Sequence, residues 1–251
     1  MSLVILDARP AFAADHLEGA EHADLNTQLS AASAAAHDPR RGGRHPLPPI
    51  GTWARQLGAW GITPSTDVVI YDDADASNAA ARAWWMLRAV GHERVRVLDR
   101  DWRSSGLRAD APLQAAPAYS VTEWQLPAVD MNAVDRARRD PAWKVLDVRS
   151  APRFRGETEP IDPVAGHIPG AVNLPFTENL RDGAFKTAEE LRGQYETLLG
   201  DTPADHLIVH CGSGVTACHT LLALDRAGLA GASLYVGSWS EWCRNDMPIG
   251  R

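Results

Sequence analysis

The sequence lacks the features that mark secreted, membrane-spanning and nucleic-acid-binding proteins. Its 251 residues include only three cysteines, too few for a disulfide framework and typical of a reducing compartment. No apolar run approaches the roughly 20 residues that span a bilayer, and the opening MSLVILDARP predicts no secretory signal. The formal net charge of -7 gives no general attraction to a nucleic-acid backbone. We therefore expect a cytoplasmic protein with neither nucleic-acid nor membrane partners.

Metal-binding motifs are also missing. Cys211, Cys218 and Cys243 form no CxxC pair and no cluster with histidines at ligand spacing, so we expect no metal and no bound cofactor. The hydrophobic share of 45% and the charged share of 23% are those of an ordinary globular protein. The length fits two domains of moderate size.

What the sequence does contain is an internal repeat. VILDARP recurs as KVLDVRS, HLEGAEHADL as HIPGAVNLPF, DVVIYDD as HLIVHCG, and RVLDRDW as LYVGSW. The order is the same in both halves, which indicates a duplicated domain. Features present in both halves are expected to serve the fold, whereas features of one half alone are candidates for chemistry.

Each half alternates β-branched runs with Ala-, Leu- and Arg-rich stretches, of which 77–90 and 215–227 have the pattern of helices. This alternation predicts an α/β fold of two tandem domains, each a parallel sheet with helices on both faces. Buried strands are predicted at 3–6, 67–72, 95–98, 144–147, 207–210 and 233–236. The Ala- and Pro-rich segment 109–127 is predicted to link domains at 1–108 and 128–251.

The strand-to-helix turn CGSGVTA, which begins at Cys211, is the strongest candidate site. Such turns lie at the carboxyl end of a parallel sheet, where α/β folds bind ligands. Gly212 and Gly214 let the backbone curl, so that N–H groups converge with a helix N-terminus to hold an anion and favour the cysteine thiolate. The first half has Asp72 at the position of Cys211 and lacks the glycines. Cys211 is therefore the predicted nucleophile.

CGSGVTA, DVRSAPRFRGE, GHIPGAVNLPF and GSWSEW together resemble the two-domain rhodanese family, and its 3-mercaptopyruvate sulfurtransferases in particular. The resemblance covers nearly the whole chain. It implies tandem rhodanese domains, the first of them catalytically silent, and a ping-pong reaction through a persulfide on Cys211. The sulfur acceptor would be cyanide or a thiol such as thioredoxin. The loop N–H groups of Gly212, Gly214, Val215 and neighbours would stabilise the charge on sulfur.

Other site residues follow from the same resemblance. It maps a catalytic serine onto Ser213 and a donor-carboxylate arginine onto Arg153, whose fork suits a carboxylate. For Ser213, loop capping is an equal alternative, and for Thr216 helix capping is the favoured interpretation. The family's second arginine falls on Asp162, which weakens the transfer of donor specificity.

His45 matches a family histidine that is directed toward the active site, and a surface position is the equal alternative. The family's nearby acid falls on Asn26, which argues against a full charge relay. Arg40, Arg41 and Arg44 either add positive potential near His45 or form a solvated loop.

Several residues are assigned to the fold rather than to chemistry. The pair Asp147 and Arg149, and also His167, recur in the silent half as Asp7, Arg9 and His16. Cys218 is expected in the core, and either it or Cys243 has the potential to form a disulfide with Cys211. Trp239 and Trp242 are candidates for the mouth of the active site.

Two other functions remain as alternatives. A phosphatase or arsenate reductase would need an arginine at the position of Ala217. A non-enzymatic sulfur-carrier or interaction module shares the fold, and fold alone does not fix function. Within the enzyme interpretation, the resemblance implies that thiosulfate enzymes carry basic residues at the positions of Gly212 and Ser213. The neutral loop therefore favours 3-mercaptopyruvate as the donor over thiosulfate.

Overall fold

The computed structural model describes residues 2–73, 79–98, 101–109 and 114–251. The chain forms two compact units, one of Met1–Ser33 and Leu47–Leu126, the other of Ala34–Pro46 and Pro127–Arg251. These bounds differ from the predicted domains, because segment 34–46 belongs to the second unit. Most of the predicted linker belongs to the first unit, where Ala109 and Tyr119 are buried. Part of that linker, 110–113, lies outside the described residues.

The first unit contains a four-stranded parallel sheet of order β2-β1-β3-β4. Its strands are β1 (Leu3–Asp7), β2 (Glu21–His22), β3 (Asp67–Tyr71) and β4 (Val95–Val97). Helices α1 (Ile50–Ala59) and α2 (Ala79–Arg88) accompany the sheet, and a short 3₁₀ helix spans Trp102–Ser104. Four of the five residues of β1 and of β3 are buried, as expected for strands covered on both faces.

The second unit contains a five-stranded parallel sheet of order β5-β11-β10-β6-β7. Its strands are β5 (Ala128–Val129), β6 (Lys144–Asp147), β7 (Val172–Asn173), β10 (Leu207–His210) and β11 (Ser233–Tyr235). A separate antiparallel pair consists of β8 (Leu180–Arg181) and β9 (Ala184–Phe185). All four residues of β10 are buried. The strand therefore places the residue that follows it at a fixed, interior position.

Five α-helices complete the described part of the second unit. They are α3 (Met131–Ala137), α4 (Ala151–Phe154), α5 (Ala188–Leu199), α6 (Ala217–Arg226) and α7 (Ser238–Trp242). 3₁₀ helices span Phe176–Asn179 and Ala204–His206. Helix α5 begins at a capping box, in which Thr187 Oγ1 accepts from the N–H of Glu190 and the Glu190 carboxylate accepts from the N–H of Thr187.

The two sheets confirm the predicted duplicated α/β architecture. Strands β7, β6, β10 and β11 follow the same spatial order as β2, β1, β3 and β4. The six predicted strands and both predicted helices are present, with ends that differ by at most two residues. The predicted start of one helix, 77–78, lies outside the described residues. None of the described helices combines the length and apolar character that crossing a bilayer requires.

Candidate active site

The candidate site lies where β10 runs into α6. Cys211 is 3% exposed. Its backbone is fixed by the start of α7, since its N–H donates to Ser238 Oγ at 3.2 Å and its carbonyl accepts from the N–H of Trp239 at 3.0 Å. The Gly212 carbonyl likewise accepts from the N–H of Ser240 at 2.9 Å. Helix α7 thus holds the position of the cysteine.

Glycine is required at position 214 for steric and conformational reasons. Gly214 has φ +71°, a conformation that residues with a Cβ rarely adopt. A Cβ at this position would lie 2.3 Å from the Val236 carbonyl oxygen. The loop can turn here only because the side chain is missing.

The curled loop leaves backbone donors available. The described hydrogen bonds give no protein acceptor for the N–H groups of Gly212, Ser213, Val215 and Thr216. The first three of these residues are buried, and buried N–H groups are nearly always paired in proteins. The loop is therefore suited to bind an anion next to Cys211.

The side chain of Thr216 does not cap α6, contrary to expectation. Thr216 occupies the N-cap position but has a helical backbone, and its side chain makes no capping hydrogen bond. A helical N-cap conformation is the reason, because side-chain capping normally needs an extended residue there. Ala217, where a phosphatase would need an arginine, is the buried first residue of α6.

Ser213 contacts His45. The Ser213 hydroxyl lies 2.9 Å from Nδ1 of His45, a hydrogen bond between the loop and segment 34–46. The same segment is anchored to α7, since the N–H of Gly42 donates to Glu241 Oε1 at 2.7 Å. The contact places His45 beside the loop and gives Ser213 a partner other than its own loop. Asn26, the position of the family acid, belongs to the first unit.

Arg153 lies beside the loop and is held by Glu159. Its Nη2 donates to Glu159 Oε1 at 2.7 Å and its Nε to Oε2 at 3.2 Å. A Cβ built on Gly212 would lie 3.5 Å from Nη2 of Arg153. The predicted donor-binding arginine is therefore placed next to Cys211. Arg155 forms a separate, exposed pair with Glu157.

Glu159 is a site residue that sequence reasoning missed. Its side chain is nearly fully buried and accepts from Arg153, from Nη1 of Arg149 at 3.2 Å, and from the N–H groups of Ile161 and Asp162 at 3.1 Å each. Its position in the repeat-free stretch between two motifs gave no sequence signal.

Asp162, at the position of the family's second arginine, forms ion pairs with arginines from other parts of the second unit. Its buried carboxylate binds Nη1 of Arg44 and Nη1 of Arg244, the latter at 2.7 Å, and its second oxygen lies 3.8 Å from Nη2 of Arg153. Nη2 of Arg44 lies 3.3 Å from the position of a Cβ on Gly212. Of Arg40, Arg41 and Arg44, only Arg44 has a described contact of its side chain with this site.

The residues assigned to the fold have duplicated geometry. Nε and Nη2 of Arg149 donate to Asp147 at 3.0 and 2.6 Å, and the same two atoms of Arg9 donate to Asp7 at the same distances. His167 and His16 each hydrogen-bond a phenylalanine carbonyl and stack on that ring. This supports a structural role for all of them.

The predicted role of two tryptophans is corrected. Trp239 and Trp242 are fully buried in the core cluster of the second unit. Their indole N–H groups donate to the carbonyls of Val164 and Pro248, so neither ring lines an opening. Their position after the last strand suggested the mouth of the site, but packing against the sheet places both rings inward.

All three cysteines lie in the described part of the chain; they are buried, and none is in a disulfide. The possible disulfides with Cys211 are not formed. Cys218 lies in the core, as expected, with its Sγ 3.4 Å from the Gly214 carbonyl. Burial, reinforced by the nearby Asp162 carboxylate, raises the pKa of Cys243, which therefore keeps its proton at neutral pH.

In the first unit, the residue that corresponds to Cys211 is an aspartate, Asp72. Asp72 is buried and its Oδ2 accepts from the N–H of Ala80, in the first turn of α2. A negative side chain thus satisfies the helix N-terminus that would otherwise be open to an anion. Residues 74–78 of this loop lie outside the described residues. Within the described ranges, no group of three or more His, Cys, Asp or Glu is arranged to hold a metal ion.

Comparisons with known proteins agree on one family. The family model for the rhodanese-like domain matches residues 1–104 and 130–245. A Pseudomonas aeruginosa protein named "Probable 3-mercaptopyruvate sulfurtransferase" is 42% identical over 96% of this chain and 89% of its own. SseB of Mycobacterium tuberculosis, whose name gives thiosulfate sulfurtransferase as a provisional activity, is 38% identical over 98% and 86%. The structure of 3-mercaptopyruvate sulfurtransferase from Leishmania major aligns with a TM-score of 0.79 at 29% identity, over 97% of this chain and 70% of that one.

Proposed function

The chain belongs to the rhodanese family, and from this premise we propose that it is a sulfurtransferase that moves sulfur from 3-mercaptopyruvate to a thiol or to cyanide. The observation that carries the proposal is the placement of Arg153 over Gly212, one residue from Cys211. The sulfur of Cys211 and a guanidinium group are thereby close together, and Nη1 of Arg153 is the nitrogen that does not bind Glu159 in the described contacts. Thiosulfate is the second candidate donor, and SseB is a relative named for it.

The first half-reaction consumes no cofactor. The Cys211 thiolate attacks the thiol sulfur of 3-mercaptopyruvate, and the S–S bond forms as the C–S bond breaks. The bonding pair leaves as the enolate of pyruvate, which takes up the proton that the donor thiol carried. Cys211 is left as a persulfide, and pyruvate departs.

The second half-reaction regenerates the enzyme. A thiolate or cyanide attacks the outer sulfur of the persulfide, and the Cys211 thiolate leaves. The products are an acceptor persulfide or thiocyanate, so the sequence is ping-pong with no net oxidation. The N–H groups of Gly212, Ser213, Val215 and Thr216 would stabilise the charge on sulfur, and Gly214 keeps the loop in this shape.

Ser213 and His45 are proposed to handle the proton. The Ser213 hydroxyl, two residues from Cys211 in the loop, forms a 2.9 Å hydrogen bond with the His45 imidazole. Such a pair can pass the proton of the donor thiol toward the enolate carbon. Ser213 would be the group nearest the reacting atoms, and His45 would orient and polarise it.

The charge at the loop favours a donor with a single carboxylate. The loop itself carries no charged side chain, and Arg153 is already partly neutralised by Glu159. A donor with one carboxylate suits this arrangement better than a compact dianion. Thiosulfate would need further positive charge inside the loop, which Gly212 and Ser213 do not supply.

Acceptor and location are also proposals. The three cysteines form no disulfide, which suits a reducing compartment and supports a cytoplasmic location and a thiol acceptor such as thioredoxin.

The test is steady-state turnover with 3-mercaptopyruvate and with thiosulfate, each paired with cyanide and with thioredoxin. We expect the higher kcat/KM for 3-mercaptopyruvate. A higher value for thiosulfate would favour the second candidate, and turnover of p-nitrophenyl phosphate would favour a phosphatase.

A further inference from the structure

Arg44 and Arg153 converge on one point above the loop. A Cβ built on Gly212 would lie 3.3 Å from Nη2 of Arg44, and 3.5 and 3.7 Å from Nη2 and Nη1 of Arg153. Gly212 has no side chain, so both guanidinium groups approach the backbone of the loop at this point. The position is adjacent to Cys211 in the chain.

Both guanidinium groups are held from behind by buried carboxylates. Asp162 binds Nη1 of Arg44, and Glu159 binds Nε and Nη2 of Arg153. In Arg44 this contact involves Nη1, and Nη2 is the nitrogen nearest Gly212. A charged group held in this way loses little side-chain entropy when it binds a ligand.

The backbone at Arg44 is fixed as well. The N–H of Arg44 donates to Ser240 Oγ at 3.0 Å, and that hydroxyl donates to the Gly237 carbonyl. Gly43, with φ +73°, lies so close to Gly237 that a Cβ would be 2.2 Å from its carbonyl oxygen. Arg44 therefore extends from a segment packed tightly against the start of α7.

The charge balance around the loop favours an anion. Four guanidinium groups face three buried carboxylates in this cluster: Arg44, Arg149, Arg153 and Arg244 against Asp147, Glu159 and Asp162. While Cys211 is a neutral thiol, these side chains carry one more positive than negative charge, in a chain whose formal net charge is -7. Local positive potential in an acidic protein concentrates anions at that place.

We propose that Arg44 is a specificity-determining residue, which together with Arg153 binds the carboxylate of the sulfur donor, and that Asp162 positions it. The proposal rests on the proposed function, and it makes Arg44 the second cation, beside Arg153, that binds the donor carboxylate. Asp162 occupies the place where the family resemblance leads one to expect an arginine. The positive charge is instead supplied from segment 34–46, and Asp162 orients it.

The test measures binding of the donor without its chemistry. The full chain carrying Cys211→Ser, which cannot form a persulfide, is titrated by calorimetry with 3-mercaptopyruvate and with mercaptoacetone, in which a methyl group replaces the carboxylate. Adding Arg44→Met is expected to weaken 3-mercaptopyruvate binding roughly 10- to 100-fold, the effect of losing a hydrogen bond between charged groups. Binding of mercaptoacetone should change less than about 2-fold.

Arg41→Met is the matched control. It removes the same charge from the same segment, but Arg41 is exposed. We expect its effect on either ligand to be below about 2-fold, because exposed charges act weakly at a distance. Arg44→Lys keeps the charge without the fork and should fall between wild type and Arg44→Met. Thermal melts of every variant report whether the fold is kept.

Three outcomes would overturn the assignment. If Arg44→Met loses equal affinity for 3-mercaptopyruvate and mercaptoacetone, the role of Arg44 is purely structural. If Arg41→Met and Arg44→Met lose equal affinity, the effect is long-range electrostatics. If Arg44→Met binds 3-mercaptopyruvate as before, Arg44 does not contact the donor. The proposed function is tested separately, by persulfide formation on wild-type Cys211. If the wild type forms the persulfide while Arg44→Met binds normally, only the role of Arg44 is rejected.

Discussion

Nδ1 of His45 lies 2.9 Å from the hydroxyl oxygen of Ser213. The two residues are far apart in the sequence, and the hydrogen bond joins segment 34–46 to the loop that carries Cys211. For both residues the sequence left two equal interpretations: a role in the active site, or loop capping for Ser213 and a surface position for His45. Because the two side chains are in contact, their roles can be tested together.

If His45 and Ser213 transfer one proton together, the decreases in kcat caused by replacing each residue should not multiply in the double variant. We expect Ser213→Ala and His45→Gln each to lower kcat by about 100-fold, a typical contribution of acid–base catalysis, and the double variant to be scarcely worse. The measurement is kcat for 3-mercaptopyruvate in all four proteins, with its pH profile. Fully multiplicative losses would mean that the two residues act independently.

Glu159 is expected to act through Arg153. In Glu159→Gln the charge that holds Arg153 and Arg149 is lost, so KM for 3-mercaptopyruvate should rise about 10-fold while kcat falls less. Glu157→Gln is the control, since Glu157 pairs only with the exposed Arg155 among its described contacts, and its KM should match the wild type. A kcat loss without a KM change would contradict a positioning role.

Gly214 should tolerate no side chain. Its φ of +71° and the 2.3 Å approach to Val236 predict that Gly214→Ala lowers the free energy of unfolding by about 1–3 kcal/mol and impairs persulfide formation. Gly193→Ala is the opposite case, because Gly193 lies within α5 with open space around it. That change should stabilise the protein by roughly 0.5–1 kcal/mol. Chemical denaturation measures both, and a neutral Gly214→Ala would refute the steric argument.

His210 predicts a pH dependence of stability. Burial lowers the pKa of His210 despite the Asp147 carboxylate 3.8 Å away, so the folded state keeps the ring neutral. Below the unfolded pKa of about 6.5 the unfolded chain binds the extra proton, and stability is lost as pH falls, by up to about 1.4 kcal/mol per pH unit.

The comparison is the free energy of unfolding at pH 7.5 and pH 5.5. We expect His210→Asn to show a smaller drop than the wild type, while His206→Asn, at a partly exposed position of the same unit, should show the wild-type drop. An unchanged drop in His210→Asn would show that other groups cause the effect.

Six of the strands and helices α2 and α6 could be predicted from the sequence because their signals are local. Buried runs such as 207–210 and the helix at 217–226 carry the periodicity of their structure, and the repeat gave the same elements twice. The loop at Cys211 could be predicted for the same reason, because its glycines and its position after a strand lie in one short stretch of sequence.

The rest depends on contacts between distant parts of the chain. Segment 34–46 belongs to the second unit through bonds such as that of Gly42 to Glu241, which no local pattern announces. The sequence suggests that Asp162 is merely a missing arginine, whereas the structure shows a carboxylate that holds Arg44. Trp239 and Trp242 follow a strand end, and only packing shows that they face the core.

The central claim is that sulfur passes through Cys211, and intact-protein mass spectrometry tests it most directly. After incubation with 3-mercaptopyruvate and removal of small molecules, the wild type and Cys243→Ser should each gain the mass of one sulfur atom, and cyanide should remove it as thiocyanate. Cys211→Ser should gain none. Sulfur retained on Cys211→Ser, or none on the wild type, would contradict the account.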